Sequence, residues 1–394
     1  MGSVQDTRTR ELVQQAERAL QSRDARSALG LLREAETRAP GDAGVKMQLA
    51  LALRATGDFA AALKAVEAAL ALDPYLLLGL LSKGWLLEKL NRTREAAVAY
   101  RNALKVAPPD ERLPAGLRAP VERAREVVKA DSEAAVAFVE ERLAEVRARH
   151  AAENLARFDM SRDAFLAGKK VYNSEPALLH YPMLPAEQFF ERRHFPWLER
   201  LEAATEMIRE ELLVVLRDDL EEMQPYIQYP PGVPVNQWVE LNHSPRWNSY
   251  FLWKDGVKDE AHCARCPGTS ALLDTLPLLR QPGFGPTAIF SVLAPRTHIP
   301  PHNGSTNTRC LVHLPLILPG PARFRVGNET REWKMGEAWV FDDTIEHEAW
   351  NDADQTRVIM ILDLWNPYLS EAERELVSAM MAAKNAFTAG GVGP

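Results

Sequence analysis

Residues 287–365 contain the runs TAIFSVL (287–293), TRCLVHLPLIL (308–318), ARFRVG (322–327), EAWVFDD (337–343) and TRVIMILDLW (356–365), and these decide the fold of the second half of the chain. Each run is short and rich in β-branched, aromatic or aliphatic residues, and clusters of Gly, Pro, Asn and Asp separate them. Strands at such spacing predict an antiparallel sandwich or barrel. Helices are expected around 197–216 and 370–386, packed against the sheet. A jelly roll of this kind can hold a metal at its mouth.

Towards the N-terminus the pattern changes to a helical one with an internal period. Pro40, Pro74 and Pro108 lie 34 residues apart, and the same step links Ala16, Ala50 and Gly84, then Ala28, Ala62 and Ala96, then Ala35, Ala69 and Ala103. Small residues at these phases allow close helix approach, as in a solenoid whose repeats contact their neighbours. Leu32, Val66 and Tyr100 hold one large apolar phase, while Gly57 and Asn91 fall where a turn needs a left-handed backbone. The period and its phases resemble three tetratricopeptide repeats, at 9–42, 43–76 and 77–110, although the usual early tryptophan is missing and Lys46 stands there in the middle repeat. The expected organisation is multidomain α + β: repeats over 1–112, capping helices and linker over 113–175, the strand-rich domain over 176–385, and a flexible tail over 386–394.

The net charge of −7, without a long Lys/Arg block, argues against nucleic-acid binding. The opening residues MGSVQDTRTR lack the apolar core of a secretory signal, and no stretch is apolar enough to span a bilayer, so a cytoplasmic protein without a membrane partner is expected. Cys263, Cys266 and Cys310 are too few for a disulfide scaffold, and the C-x-x-C at 263–266 has no second pair to complete a zinc site.

His302 and His347 stand where strand pairs should end, and imidazole suits iron, copper, nickel and zinc. Taken alone, each is better explained as an ordinary core or polar histidine. Their surroundings read H-N-G-S-T-N-T-R, H-L-P-L, F-R-V-G-N-E-T-R-E-W, V-F-D-D-T-I-E-H-E-A-W and R-V-I-M-I-L-D-L-W, in that order. This ordered set resembles the aspartyl/asparaginyl β-hydroxylase family over about 185–375, with WNSYFLW (247–253) as its entry segment.

The resemblance implies a double-stranded β-helix, cupin-like, with flanking helices, and an iron(II)- and 2-oxoglutarate-dependent dioxygenase. Such an enzyme uses O2 to hydroxylate the β-carbon of an Asp/Asn-type residue and releases succinate and CO2. It matches His302 and His347 to the iron ligands, Arg357 to the distal carboxylate of 2-oxoglutarate, Ser291 to its hydroxyl partner, and His313 to the carboxylate next to iron. A guanidinium suits that role because its fork is bidentate.

Most enzymes of this chemistry carry an acid two residues after the first histidine. Gly304 occupies that position here, and none of the nine histidines has Asp or Glu two residues later. The family has glycine there as well, with water in place of the acid. Arg309 matches the first arginine of a substrate-binding R-x-R run, but Leu311 replaces the second. Asp342 and Asp343 either orient a ligand or water or shape the turn before His347. The repeats favour a peptide or protein substrate. A small-molecule, carrier-bound or acyl substrate, or a non-catalytic adaptor with a degenerate β-domain, are the competing readings.

Overall fold

The computed structural model describes residues 7–390, which divide into two compact units, one ending at Lys169 and the other beginning at Lys170. The first unit is helical throughout. Its three helix pairs are α1 (Thr7–Gln21) with α2 (Ala25–Arg38), α3 (Ala43–Ala55) with α4 (Phe59–Leu72), and α5 (Leu77–Lys89) with α6 (Thr93–Val106).

The 34-residue phases become physical positions in these pairs. Ala28, Ala62 and Ala96 and then Ala35, Ala69 and Ala103 are fully buried, with Leu32, Val66 and Tyr100 beside them. Gly84 packs so tightly on the Tyr100 ring that a Cβ there would overlap it. Arg23, Gly57 and Asn91, one per intra-repeat turn, all have left-handed φ, at 62°, 82° and 58°. Asp24 and Asp58 follow them and cap α2 and α4 by accepting from Ser27 N and Ala61 N; Arg92 takes that place in the third repeat without a cap bond. A 35-residue helix, α7 (Ala115–Arg149), adds Val121 and Ala124 to the solenoid core, and α8 (Ala156–Ala167) follows it.

The second unit is two antiparallel sheets face to face, with helices on one outer side. Its helices are α9 (Leu198–Ala203), α10 (Thr205–Asp218), α11 (Glu260–Arg265), α12 (Pro267–Asp274) and α13 (Glu371–Gly390). The strands are β1 (Gln224–Pro225), β2 (Trp247–Lys254), β3 (Val257–Lys258), β4 (Ala288–Leu293), β5 (Thr297–His302) and β6 (Arg309–Ile317). They continue as β7 (Ala322–Val326), β8 (Glu329–Glu332), β9 (Trp339–Phe341), β10 (His347–Asn351) and β11 (Arg357–Trp365).

The larger sheet runs β1-β2-β4-β11-β6-β9, with β3 on β2, and the smaller runs β5-β10-β7-β8. Alternation divides the larger sheet's two faces. Phe290, Val312, Leu314, Val358, Met360 and Leu362 pack outward against Leu201, Ile208, Leu212 and Val215 of α9 and α10. Ile289, Leu293, Ile359 and Ile361 point inward, towards Ile299, Phe324 and Ala349 of the smaller sheet.

The five runs singled out from the sequence contain β4, β6, β7, β9 and β11, whereas β5, β8 and β10 escaped that segmentation. In β5 the reason is visible in THIPPH: two prolines depress the strand signal, and the structure tolerates them because β5 is an edge strand. Residues 170–175, expected as linker, belong to the second unit, where buried Ser174 donates to Asp342 Oδ2 at 2.6 Å. Of the tail expected at 386–394, residues 386–390 continue α13, and 391–394, like 1–6 at the other end, lie outside the described residues. No helix among the described residues is long and apolar enough to cross a membrane.

Candidate active site

The inward phase of the larger sheet carries its polar residues as well as its apolar ones. Arg357, Ile359, Ile361 and Asp363 of β11, Arg309, Leu311 and His313 of β6, and Ile289 and Ser291 of β4 all line one cavity of about 230 Å3. The smaller sheet closes it with His302, Phe324, His347 and Ala349.

His302 ends β5 and His347 begins β10, and the two are directly opposed in register. Their ring centroids are 4.0 Å apart. Each Nδ1 is engaged by a backbone carbonyl two residues earlier, Pro300 at 2.8 Å and Ile345 at 3.0 Å. A carbonyl accepts only, so Nδ1 carries the proton and Nε2 is left with its lone pair, the tautomer of a metal-binding imidazole. Burial, reinforced by His347, holds His302 well below the usual imidazole range, and burial brings His347 down to about 4.

Arg357 is among the most buried large side chains, 1% exposed. Its Nε and Nη1 have no hydrogen-bond partner, its guanidinium lies 4.5 Å from the Trp333 ring, and burial alone lowers it to about 9. An unpaired buried cation is costly, so this cavity is built to receive an anion. Ser291 lies on the strand next to Arg357, and its Oγ accepts from Trp247 Nε1 at 3.0 Å, leaving its own hydrogen available to donate. His313 packs between Phe324 and Phe341, with ring centroids 4.9 and 4.7 Å away, and its Nδ1 is buried without a partner. Burial, then the positive Arg357, hold it well below the ordinary range.

The cavity imidazoles are thus neutral in the folded protein, whereas unfolded they take a proton below about pH 6.5. With folded values depressed, their contribution to stability is complete above that pH and is lost as pH falls through the folded values, about 4 for His347. The melting temperature of the metal-free protein should therefore drop between about pH 6.5 and 4. His313→Gln should flatten that slope; an identical slope in both proteins would remove His313 from the account.

The remaining sequence candidates separate. Asp343 and Arg309 join the cavity, with Arg309 Nη2 donating to Asp343 Oδ2 at 2.9 Å. Asp342 does not line it: its Oδ1 accepts from Thr344 N at 2.9 Å, a turn-forming bond, and its Oδ2 takes the Ser174 hydroxyl. Gly304 lies against Asp343, whose carboxylate fills the place a Cβ would occupy, and Gly304 N donates to Asp343 O at 2.6 Å. The space a side chain at position 304 would need is therefore filled by a carboxylate from another loop. Ala177 N and Leu178 N donate to Gly304 O and Ser305 O, both at 2.9 Å, so the segment after Ser174 straps the loop that follows His302.

Asp363 and Trp247 line the cavity without a role assigned from the sequence. Asp363 is an acid inside the apolar run RVIMILDLW, on the same phase as Arg357, which was its available signal. Trp247 opens the WNSYFLW segment, but its bond to Ser291 joins residues 44 apart and leaves no trace in the spacing.

Fold and cavity together define a jelly-roll domain following a tetratricopeptide solenoid, with two neutral imidazoles and an unpaired guanidinium facing one chamber. The family description Aspartyl/Asparaginyl beta-hydroxylase matches residues 202–367, and Tetratricopeptide repeat matches 43–75 and 79–110. An ornithine lipid ester-linked acyl 2-hydroxylase of Rhizobium tropici is 34% identical over 203 residues, covering 50% of this chain and 68% of that protein. The aspartyl/asparaginyl beta-hydroxylase of Mus musculus is 33% identical over 46% of this chain and 23% of its own length, and that of Homo sapiens 35% identical over 38% and 20%. The chain belongs to the aspartyl/asparaginyl β-hydroxylase family, and its second unit is a hydroxylase-type domain. It spans less than a quarter of the length of these two mammalian relatives.

Proposed function

We propose that this protein is an iron(II)- and 2-oxoglutarate-dependent hydroxylase acting on the β-carbon of an Asp/Asn-type residue in a peptide. The observation carrying this reading is the buried, unpaired Arg357 in the same chamber as two imidazoles with free Nε2 atoms. Among the described residues no group of three or more His, Cys, Asp or Glu side chains could hold a metal ion, so His302 and His347 would be its protein ligands, with small ligands completing the set. Two neutral nitrogen donors with open positions suit iron(II). Iron(II), when bound, supplies oxygen activation coupled to the oxidative decarboxylation of 2-oxoglutarate.

The chain's own residues bind, orient and exclude. Arg357 would take the distal carboxylate of 2-oxoglutarate through its guanidinium, whose Nε and Nη1 are without partners. Ser291, oriented by Trp247, would donate its hydroxyl hydrogen to the same carboxylate. His313 offers an unpartnered nitrogen for the carboxylate nearer the metal. Ile289, Ile359, Phe324 and Phe341 wall the chamber and keep water from the oxidant. A non-catalytic adaptor would have no use for four side chains with buried, unsatisfied polar atoms in one cavity, each at a cost to stability. The tetratricopeptide unit supports a peptide substrate, because such repeats offer extended surfaces for chain segments. The apolar walls, with the lipid hydroxylase among the relatives, support an acyl substrate as the second reading.

The deciding experiment supplies iron(II), 2-oxoglutarate and a peptide digest, then measures succinate together with peptides heavier by one oxygen. Succinate that does not depend on added iron, or its absence under every condition, sinks the proposal.

Gly304 provides a further test. Gly304→Asp should keep iron while lowering turnover, because any side chain there drives the Asp343 carboxylate out of place and an acid also sets two like charges together. Turnover equal to the parent protein's would show that Asp343 need not stay where it is.

A further inference from the structure

We infer that the substrate segment entering this cavity is uncharged, so that an asparagine carboxamide is accepted in preference to an aspartate carboxylate. The inference rests on the proposed peptide hydroxylation and narrows it through the charges that line the chamber. Apart from its histidines, the charged lining consists of Arg309, Asp343, Arg357 and Asp363.

Arg309 is shared by two carboxylates, with Nη2 2.9 Å from Asp343 Oδ2 and Nη1 3.5 Å from Asp363 Oδ2. The side chains of both acids are 4% exposed or less, so solvent does little to screen them. Among the described cavity residues, Arg357 is the one cation with no carboxylate partner, and 2-oxoglutarate claims it. Iron(II) would face the nearer carboxylate of 2-oxoglutarate and Arg357 the distal one, which leaves no unpaired protein cation among these residues for a carboxylate of the substrate. A substrate carboxylate would instead meet two acids already dividing a single guanidinium, and it would meet them in a buried cavity, where repulsion is strong.

The neighbouring inward positions offer no relief. Leu311, two residues beyond Arg309 on β6, and Ile361, two residues before Asp363 on β11, are apolar and line the same chamber. What the acid and arginine cluster leaves unsatisfied is one buried acceptor, Asp343 Oδ1, and one buried donor, Arg309 Nε. A primary carboxamide carries a donor and an acceptor and no charge, which a carboxylate does not. Discrimination of this type depends on whether buried polar groups find partners.

The test uses the full chain with iron(II), saturating 2-oxoglutarate and two synthetic peptide libraries, identical except for Asn or Asp at a fixed central position. Hydroxylation is read as the gain of one oxygen at that residue. The asparagine library should yield at least about tenfold more product, the discrimination expected from ~1.4 kcal/mol of unmatched charge. Leu311→Arg, which adds a cation on the inward face, should move the ratio towards aspartate by a similar factor. Equal hydroxylation of both libraries, or a preference for aspartate in the parent protein, leaves the hydroxylase reading standing and overturns the inference. Product from neither library, with succinate still formed, defeats the peptide reading and takes the inference with it.

Discussion

His347→Ala is expected to lower 2-oxoglutarate-dependent turnover by well over a hundredfold while leaving the protein folded. Residues that merely hold a metal ligand in place cost about 10–100-fold when removed, and one of the two proposed protein ligands should cost more. The fold should survive because His347 opens β10, and its strand bonds to β5 and β7 are made by the backbone. Its ring accepts no burden of charge, being neutral and brought down to about 4 by burial. Iron content, circular dichroism and succinate formation measured on one preparation separate the outcomes. Undiminished succinate formation with stoichiometric iron would remove His347 from the centre. A variant that lost its circular dichroism would instead show that the ring's packing against Phe324 and Phe341, at centroid distances of 5.8 and 5.4 Å, carries the strand.

Replacement of Arg357 should act in opposite directions on stability and on cosubstrate binding. Losing a charge-assisted pair with a buried carboxylate costs about 2–4 kcal/mol, so Arg357→Met should raise the 2-oxoglutarate requirement by a factor of ~30 or more. The same change removes a cation that the ligand-free protein buries without a partner, lowered to about 9 by burial alone. An apolar side chain of similar length should therefore raise the melting temperature of the ligand-free protein. In the parent protein 2-oxoglutarate should restore that stability by binding, and in the variant it should have little effect. An unchanged 2-oxoglutarate constant would mean that another group holds the distal carboxylate. A lower melting temperature without ligand would mean that the guanidinium's stacking on Trp333 outweighs its unpaired charge.

The repeat unit was legible because its information is local. A 34-residue period places Ala28, Ala62 and Ala96 at equivalent helix contacts, and each repeat packs on its sequence neighbours, so spacing is itself a structural statement. In the strand-rich unit, β4, β6, β7, β9 and β11 were legible as short apolar runs. TRVIMILDLW shows its two faces by alternation, with Val358, Met360 and Leu362 towards the helices and Arg357, Ile359 and Ile361 towards the cavity. It was not legible at THIPPH, where an edge position excuses prolines that a central strand would reject.

Local sequence was enough for the order of the units, the strands β4, β6, β7, β9 and β11, and the residue types offered for chemistry, including His302, His313, His347, Ser291 and Arg357. Those features follow from period and motif, which need only neighbours along the chain. Tertiary structure alone decided which polar atoms find partners. It gave Arg309 to Asp343 and Asp363, turned Asp342 away towards Ser174, set the Asp343 carboxylate against Gly304, and left Arg357 on the Trp333 ring without a carboxylate partner. The physical reason is that pairing and desolvation depend on groups far apart in sequence meeting inside a closed chamber: Asp342 bonds Ser174 across 168 positions, and no spacing along one strand records which charge will be met there and which left open.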